Sequence, residues 1–406
     1  MDKYGILKHY FGYDSFRPGQ EKLVDAILAG QDVLGIMPTG AGKSLCYQVP
    51  ALLMSGITLV VSPLISLMKD QVGALNQAGV HAAYINSSLT DNQIAKALAF
   101  AKQGRYKIIY VAPERLETWG FLDFATHVEI SMITVDEAHC ISQWGQDFRP
   151  SYLNILSFVK KLARRPIISA FTATATSKVR DDILQILSLE RPVILTTGFD
   201  RSNLTFIVEK PMVKRRFLRS WLPEQNGCGI IYCATQKQTE EVCNDLNAWG
   251  YPAGRYHAGL TMEERQRNQN AFIKNELQVM VATNAFGMGI DKPDVRFVLH
   301  YTLPLDVEGY YQEAGRAGRD GLPAKCVLLF ERRDIMQQRQ LLEYSCEQRE
   351  SSAEDKKLWL TNAYQRLRDI ESYCFTRGCL RKYLLSYFGQ ETNDRCGNCS
   401  NCSGSN

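Results

Sequence analysis

Residues 33–44 read VLGIMPTGAGKS, in which five apolar residues precede a glycine-rich turn that ends in a lysine and a serine. This order predicts a buried strand, a tight loop and the first turn of a helix. Backbone N–H groups of such a loop point at phosphate oxygens, and the helix N-terminus adds positive potential. The residues expected to line this phosphate loop are Thr39, Gly40, Ala41, Gly42, Lys43 and Ser44.

Lys43 and Ser44 would carry the chemistry of the phosphate loop. A lysine at this place reaches the β and γ phosphates of a nucleoside triphosphate, and the adjacent hydroxyl holds Mg²⁺. Met37 stands where the strict form of the pattern has a glycine. An ordinary glycine turn before a helix is therefore the alternative interpretation of this stretch taken alone.

An acidic pair follows another apolar run further along the chain. Residues 130–135 read ISMITV and end directly in Asp136 and Glu137. Acidic residues at the carboxyl end of a parallel strand face the same crevice as a phosphate loop. Asp136 would hold Mg²⁺ through water, and Glu137 would orient the attacking water. A solvated acidic turn is the alternative, but the two motifs together predict hydrolysis of a nucleoside triphosphate.

Nine short apolar runs separated by helical patterns predict the fold class. This βαβ rhythm indicates α/β domains with mostly parallel sheets. The rhythm breaks near residues 196–203 and restarts, which predicts two α/β domains joined near residue 200. From about Glu331 the pattern is helical and highly charged. The runs interpreted as buried strands are 33–37, 57–61, 107–111, 130–135, 167–171, 229–232, 278–282, 295–300 and 326–330.

Composition limits the class of protein further. The chain has 406 residues, and 45% of them are hydrophobic, which is enough for two or three domains with real cores. No run of eighteen apolar residues suggests a membrane span, and the N-terminus lacks the apolar stretch of a secretory signal. We therefore expect the chain to stay inside the cell. The net charge of +4 means that any nucleic-acid surface must be local.

Further motifs give the sequence a family resemblance. Residues 11–20 contain FGY and FRPGQ, residues 140–150 read CISQWGQDFRP, and residues 310–321 read YYQEAGRAGRDG. With the phosphate loop and the acidic pair, these stretches resemble superfamily 2 helicases, specifically the RecQ family, over nearly the whole chain. The resemblance implies two tandem RecA-like parallel-sheet domains, at residues 1–200 and 201–335, followed by a small helical zinc-binding domain at residues 336–406.

The resemblance also implies how the nucleotide is held. Tyr13 would stack on adenine, Gln20 would read its edge and Arg17 would assist, although alone these residues would suit an aromatic helix cap. Gly289 and Asp291, in the glycine-containing motif at residues 281–291, would contact the nucleotide as well.

The second α/β domain would supply an arginine motif. In the family Arg319 is the arginine finger on the γ-phosphate, with Arg316 and Gln312 supporting it, and ATP is gripped between the two domains. Such a finger is worth about 10³–10⁵ in rate. The three-residue spacing places the two arginines on one helix face. A solvated basic face is the alternative, but it leaves the Gly-Arg-x-Gly-Arg spacing unexplained.

Two stretches of the first domain resemble nucleic-acid contacts of the family. In residues 62–71, Ser66 and Lys69 suit phosphate contacts at a helix start. In the aromatic-rich loop, defined here as residues 140–150, Trp144 and Phe148 offer faces for base stacking, and Arg149 offers a phosphate contact. The alternatives are an amphipathic helix and an aromatic core. The place of the loop, next to the hydrolytic carboxylate, favours base sensing.

The cysteines fall into two groups. Seven of the twelve are scattered and suit small buried hydrophobic positions, whereas five lie between residues 374 and 402. Cys396, Cys399 and Cys402 recur at a spacing that closes a thiolate shell with one more cysteine, and a reducing interior disfavours disulfides as the alternative. Resemblance to the family's first-ligand segment selects Cys379 rather than Cys374 as the fourth zinc ligand. Arg381 and Lys382 beside it would touch DNA phosphates.

The resemblance as a whole implies an ATP-dependent DNA helicase with ATP, Mg²⁺ and Zn²⁺ as cofactors. It would bind single-stranded DNA and translocate 3′–5′ to unwind duplex in recombination, repair or replication. Its partners would be single-stranded and tailed or forked DNA, with single-stranded-DNA-binding and recombination proteins but no membrane. It would act as a monomer in a bacterial cytoplasm, at the nucleoid, or in a eukaryotic nucleus.

Three other functions are compatible with parts of the sequence. The first is a DNA-stimulated translocase or strand-annealing factor that unwinds weakly, since the family's winged helix is absent from these 406 residues. The second, a zinc-bearing DNA scaffold without turnover, leaves the hydrolytic residues unexplained. The third, an RNA helicase, fits the motor motifs but not the aromatic-rich loop and the zinc cysteines.

Overall fold

The computed structural model describes residues 1–145, 147–287, 292–349 and 352–403. Gly289 and Asp291, which the resemblance assigns to nucleotide binding, lie outside the described residues. The chain divides into two compact units, Met1–Gly198 and Phe199–Asn406. The second unit contains both the second sheet and the C-terminal helices.

The first unit is a parallel α/β fold. Its strands are β1 (Val33–Ile36), β2 (Ile57–Val61), β3 (Ala82–Ile85), β4 (Ile108–Val111), β5 (Ile130–Val135), β6 (Ile167–Thr172) and β7 (Val193–Thr196). Its helices are α1 (Lys3–Phe11), α2 (Gln20–Leu28), α3 (Lys43–Leu53), α4 (Ile65–Gln77), α5 (Asp91–Lys102), α6 (Trp119–Thr126), α7 (Ile155–Val159) and α8 (Ser177–Ile186). The sheet order is β3-β4-β2-β5-β6-β1-β7, with every pairing parallel.

The order of the strands in the first sheet brings the two hydrolytic motifs to one edge. Strand β6 lies between β1 and β5, and all three point the same way. The phosphate loop leaves the carboxyl end of β1, and the acidic pair leaves the carboxyl end of β5. Both β1 and β4 are buried along their whole length, as expected for parallel strands covered by helices on both faces.

The second unit repeats the α/β theme and adds helices. Its strands are β8 (Leu204–Glu209), β9 (Cys228–Tyr232), β10 (Ala253–Tyr256), β11 (Val279–Ala282), β12 (Val295–His300) and β13 (Ala324–Leu329). Its helices are α9 (Lys214–Trp221), α10 (Gln236–Ala248), α11 (Met262–Ile273), α12 (Val307–Ala314), α13 (Arg332–Glu347), α14 (Ala353–Phe375), α15 (Leu380–Tyr387) and α16 (Ser400–Ser403). The sheet order is β10-β11-β9-β12-β13-β8, again with parallel pairings.

The C-terminal helices are tied to the second sheet by a buried ion pair. The Lys214 ammonium on α9 lies 2.6 Å from the Asp334 carboxylate on α13, and both side chains are about 4% exposed. Such a pair fixes the place of α13 because either charge alone would be costly to bury. The predicted fold class, two parallel-sheet α/β domains with a helical cysteine module, is confirmed. Across the described residues, no helix combines the length and apolar character needed to cross a bilayer.

Candidate nucleotide, nucleic-acid and zinc sites

The phosphate loop has the backbone that its glycines predict. Gly40 and Gly42 adopt φ values of +85° and +79°, and Gly42 caps the N-terminus of α3. A Cβ on Gly42 would lie 2.4 Å from Nε2 of Gln20, so both conformation and space require glycine there. The Lys43 ammonium donates to the Met37 carbonyl at 3.2 Å. The loop therefore already has the backbone of a phosphate-binding turn. The Lys43 side chain lies across it and bonds to the residue at its start.

The segment before α2 and the first residue of that helix pack against this loop. Gln20 is buried, and its Nε2 donates to the carbonyls of Ala41 and Gly42, each at 3.0 Å. Its Oε1 accepts the backbone N–H of Arg17 at 2.8 Å, while the Arg17 guanidinium donates to the carbonyl of Gly40. Two of the three residues assigned to adenine therefore brace the loop. The third, Tyr13, presents a ring that is half exposed.

The acidic pair lies in a buried and strained turn. Burial, and then the neighbouring Glu137 carboxylate, raise the pKa of Asp136 to about 7. Glu137 adopts a left-handed backbone with φ of +47°, and the Tyr152 hydroxyl donates to the Asp136 carbonyl at 3.1 Å. A left-handed non-glycine residue is costly and is kept where the surroundings enforce it. Asp136 and Ser44 offer the hard oxygen donors that Mg²⁺ prefers, and a divalent cation would stabilise the buried charge.

His139, to which none of the sequence motifs assigned a role, lies between the acidic pair and the end of the neighbouring strand β6. Nδ1 of His139 lies 3.3 Å from a carboxylate oxygen of Glu137 and 2.9 Å from the hydroxyl of Thr172. The Thr172 hydroxyl in turn donates to the Thr174 carbonyl at 3.0 Å. His139, Thr172 and Thr174 are all buried. The threonine-rich stretch at residues 170–176 therefore contacts the hydrolytic carboxylate through His139. The sequence feature that could have indicated this contact is a histidine two residues after Glu137.

The aromatic-rich loop packs directly on the turn of the acidic pair. A Cβ on Gly145 would lie 2.2 Å from the carbonyl oxygen of His139, so only glycine fits at this contact. Trp144 is half-buried, and its backbone N–H donates to the Ser142 hydroxyl at 3.1 Å. The Lys178 ammonium lies 2.8 Å from the centre of the Trp144 ring. Phe148 is half-buried as well. Neither aromatic ring belongs to the buried core.

Arg149 connects the aromatic-rich loop to the stretch at residues 62–71. Its Nη1 donates to the Pro63 carbonyl at 2.7 Å, and its Nε and Nη2 bind Asp147 at 3.0 and 2.9 Å. The helix that follows, α4, exposes Ser66 and half-exposes Lys69. The structure therefore brings the two candidate nucleic-acid segments together, with Arg149 serving as the brace between them.

The arginine motif differs from the helix-face prediction, which is wrong. Helix α12 carries the buried Gln312 but ends at Ala314, so Arg316 and Arg319 lie in the following turn. Glycines end the helix, since Gly315 caps it and Gly318 takes a φ of +53°. We call residues 315–321 the arginine loop.

Arg316 lies beside the glycine-containing motif. It is buried, and its Nη2 is 3.5 Å from the place where a Cβ on Gly287 would stand. A Cβ there would make only an ordinary contact with the guanidinium, and its tight contact, at 2.9 Å, would be with the Asn284 carbonyl. The next residues of that motif, from 288 to 291, are not described.

The four cysteines chosen from the sequence come together. The sulfur atoms of Cys379, Cys396, Cys399 and Cys402 all lie within 4.8 Å of one another, and those of Cys379 and Cys399 are 4.0 Å apart. Zn–S bonds of about 2.3 Å in a tetrahedron place sulfurs about 3.8 Å apart, so the group fits zinc. Cys374 is buried in α14 and is outside the group.

One expectation beside the zinc site is wrong. Arg381 is only 5% exposed, and it binds Asp200 and the carbonyls of Arg201 and Leu204 rather than facing solvent. It is therefore a structural residue of the second unit and not a phosphate contact. Lys382 next to it is half-exposed and pairs with Asp394.

Family models match the chain in three consecutive stretches. Residues 17–183 match the DEAD/DEAH box helicase model, residues 213–321 match the helicase conserved C-terminal domain, and residues 332–403 match the RecQ zinc-binding model. A DEAD-box helicase structure bound to single-stranded RNA superposes with a TM-score of 0.70 at 19% identity, over 96% of this chain and 89% of that one. Fold and sites together define a helicase-type protein.

Relatives narrow the class to one family. An ATP-dependent DNA helicase RecQ of Bacillus subtilis (strain 168) is 49% identical over 98% of this chain and 66% of its own length. The RecQ of Pasteurella multocida (strain Pm70) is 44% identical over 98% and 61%. A relative from Acanthamoeba polyphaga mimivirus, provisionally named an ATP-dependent RNA helicase, is 40% identical over 98% and 71%. The chain belongs to the RecQ family.

The chain is shorter than the bacterial relatives that it matches. It spans 66% of the Bacillus subtilis protein and 61% of the Pasteurella multocida protein. The family therefore follows from the comparison, whereas the activity, substrate and partners of the whole protein are proposals.

Proposed function

We propose that this chain is an ATP-dependent DNA helicase motor that binds single-stranded DNA, hydrolyses ATP and moves 3′–5′ to unwind duplex. The observation that supports the proposal best is that the aromatic-rich loop contacts both the acidic pair and the strand-contact segment, residues 62–71. That loop contacts the turn of the acidic pair through Gly145 and reaches the strand-contact segment through the bond from Arg149 to Pro63. Because the loop is fixed at both ends, binding of a DNA strand at one end can change the arrangement of the hydrolytic residues at the other end.

The first unit supplies the binding of ATP in this proposal. Lys43 leaves the Met37 carbonyl for the β and γ phosphates, and Tyr13 offers its exposed ring to adenine. Both N–H donors of the Gln20 amide are used by the loop, but an amide oxygen has two lone pairs and Oε1 keeps one for the adenine amino group.

Glu137 positions the water that attacks the γ-phosphate. The Nδ1 atom of His139 lies beside both this carboxylate and the Thr172 hydroxyl, so the buried imidazole limits the positions that the base can take. Bound Mg²⁺, held by Ser44 and by Asp136 through water, would offset the phosphate charge that accumulates in the transition state. The role of arginine finger is assigned to Arg319, with Arg316 and Gln312 in support.

The nucleic-acid contacts are assigned to four exposed or half-exposed side chains. Ser66 and Lys69 on α4 contact backbone phosphates, and Trp144 and Phe148 stack on bases. Arg149 serves mainly to hold the loop, since its guanidinium is bonded to Asp147 and Pro63. Zinc at the four cysteines is structural, because all four ligand positions are filled by protein thiolates.

The deciding experiment measures ATPase rate and strand separation on the same preparation. ATP hydrolysis is followed without nucleic acid, with single-stranded DNA and with single-stranded RNA of the same sequence. Unwinding is followed on duplexes with a 3′ or a 5′ tail. We expect stimulation by DNA above RNA, and unwinding of the 3′-tailed duplex only.

Each departure from that pattern has a defined meaning. DNA-stimulated hydrolysis without strand separation would replace the helicase by a translocase or annealing factor. Equal stimulation by RNA would remove the DNA assignment. Hydrolysis that persists in Lys43→Ala would refute the nucleotide site itself.

The proposal extends to the setting of the motor. The names of the bacterial relatives support DNA as the partner, as a single strand and as tailed or forked duplex. We assign the chain to recombination, repair or replication, alongside single-stranded-DNA-binding and recombination proteins. It would act as a monomer wherever the chromosome lies, in a bacterial cytoplasm or a nucleus. Sedimentation with and without tailed duplex tests the oligomeric state.

A further inference from the structure

Arg201 makes an unusual set of contacts just before β8. Its Nη1 donates to the Gly315 carbonyl at 3.3 Å, and its Nη2 donates to the carbonyls of Ala317 and Gly318 at 3.0 and 2.8 Å. Asn203 adds a bond from Nδ2 to the Gly318 carbonyl at 2.9 Å. These acceptors all belong to the arginine loop.

The shape of the Arg201 side chain suits these contacts. Its planar guanidinium presents several donors at fixed angles, which lets one side chain reach three carbonyls of a single turn. A cation at the C-terminal end of a helix also stabilises the helix dipole, and α12 ends one residue before Gly315. Among the described residues no carboxylate lies within ion-pair distance of Arg201, so this charge is committed to the loop.

Residues 379–402, which contain the four clustered cysteines and are here called the zinc module, contact the segment around Arg201 as well. Arg381, on α15, donates to the Arg201 carbonyl at 2.7 Å and also binds Asp200. The knuckle between Cys396 and Cys402, here the zinc knuckle, places Nδ2 of Asn398 3.3 Å from the Ser202 carbonyl.

Contacts continue along the segment on either side of these. Nδ2 of Asn398 also lies 3.3 Å from the Leu204 carbonyl, and its Oδ1 accepts the Thr205 hydroxyl at 2.7 Å. The Phe199 ring stacks on Phe388 with centroids 4.8 Å apart. Segment 199–205 is therefore clamped between the zinc module and the arginine loop.

We propose that Arg201 is a positioning residue for the arginine loop, and that the zinc module fixes it in place through Arg381 and Asn398. The inference rests on the proposed function for its catalytic consequence only. Its structural claim is that the order of the loop depends on Arg201 and on the zinc knuckle. Zinc would thus act on hydrolysis without touching the nucleotide.

The first test compares four single or double variants of the full chain. They are Arg201→Ala, Arg319→Ala, the double variant, and Arg215→Ala as a control that removes an exposed arginine bonded to Asp245. We expect Arg201→Ala to lower kcat for ATP by about 10- to 100-fold, the cost of a misplaced catalytic group. KM for ATP should change by less than about twofold, because the phosphate loop is intact. Adding Arg201→Ala to Arg319→Ala should lower kcat little further, since Arg201 would act on kcat only by positioning the Arg319 guanidinium, which the second variant already lacks.

The second test follows the loop without relying on activity. Hydrogen–deuterium exchange of the peptide covering residues 310–325 should accelerate by at least about tenfold in Arg201→Ala, because charge-assisted bonds are lost. Asn398→Ala should accelerate the same peptide while elemental analysis still gives one zinc per chain. Arg215→Ala should leave the peptide unchanged. Arg201→Lys should restore only part of the protection, because an ammonium cannot span the three carbonyls.

The outcomes separate the two proposals. Unchanged exchange in Arg201→Ala, or losses of kcat that multiply fully in the double variant, would overturn the positioning role. Equal acceleration of exchange across the whole second unit, with a lower melting temperature, would make Arg201 a general structural residue and also overturn it. If the parent chain hydrolyses no ATP but the loop alone loses protection in Arg201→Ala, the proposed function fails and the positioning inference holds.

Discussion

Replacing Trp144 with alanine tests whether the aromatic-rich loop senses DNA. The Trp144 ring is half-buried, and one of its faces is covered by the Lys178 ammonium at 2.8 Å from the ring centre. A base must therefore stack on the other face or displace the lysine. The backbone of the loop is held independently of the ring, by the bond from Trp144 N–H to Ser142 and by the close packing of Gly145. Removing the ring should leave the loop in place.

The expected magnitudes follow from this partial burial. Deleting a fully buried aromatic ring costs about 3–5 kcal/mol, so a half-buried one should cost about 2 kcal/mol, including about 0.5–1 kcal/mol for the cation–π contact. For a unit of this size that corresponds to a fall in melting temperature of about 4–8 °C. Loss of one stacked base costs about 1–3 kcal/mol, or about 5- to 150-fold in affinity for single-stranded DNA.

The assay combines ATPase rate, affinity for single-stranded DNA and melting temperature for Trp144→Ala. The matched control is Trp119→Ala, because that ring lies in the same unit but is 83% exposed. We expect Trp144→Ala to keep its basal ATPase within about twofold and to lose most of its DNA stimulation, while the control keeps both. Full stimulation by DNA in Trp144→Ala would refute the sensing role. A joint fall of basal rate and stability beyond these values would assign the ring to the core.

The other predictions concern hydrolysis, zinc and the docking of α13. Glu137→Gln should keep ATP affinity but lower kcat by about 10²–10⁴, measured by ATP binding beside steady-state turnover; wild-type kcat would contradict its role. Cys379→Ser should lose zinc by elemental analysis and unfold the helices that depend on it, whereas Cys374→Ser should keep one ion per chain. Lys214→Met should cost about 3–5 kcal/mol in urea unfolding by leaving Asp334 buried and unpaired, and replacing Asp334 with leucine as well should recover most of that loss.

The sequence predicted the interior of each sheet but not its edges. All nine apolar runs correspond to strands that have a neighbour on both sides, such as β2 and β12. The four strands without such a run are β3, β7, β8 and β10, and each is an edge strand of its sheet. An interior parallel strand is buried on both faces and is apolar throughout, whereas β7 alternates between partly buried and exposed positions. Edge strands therefore lack the signal that a continuous run gives.

Local motifs of the candidate sites could be predicted, but contacts between distant residues could not. The phosphate loop and the acidic pair follow strands directly, so their chemistry can be interpreted in order along the chain. The hydrogen bond from Arg201 to the Ala317 carbonyl joins residues 116 positions apart, and no local sequence pattern predicts it. Spacing also misplaced Arg316, because a three-residue interval indicates a helix face only while the helix continues, and α12 ends at Ala314.

The zinc knuckle has a further consequence for solubility. Strand β8 is an outer strand of its sheet, and its free side is covered by the knuckle, where the Val208 N–H meets the Ser400 hydroxyl at 3.3 Å and Phe206 bridges to Cys399. An uncovered strand edge is a template on which another chain can add a strand. We therefore expect a chain made under zinc shortage to expose this edge of β8 and to self-associate in a concentration-dependent way.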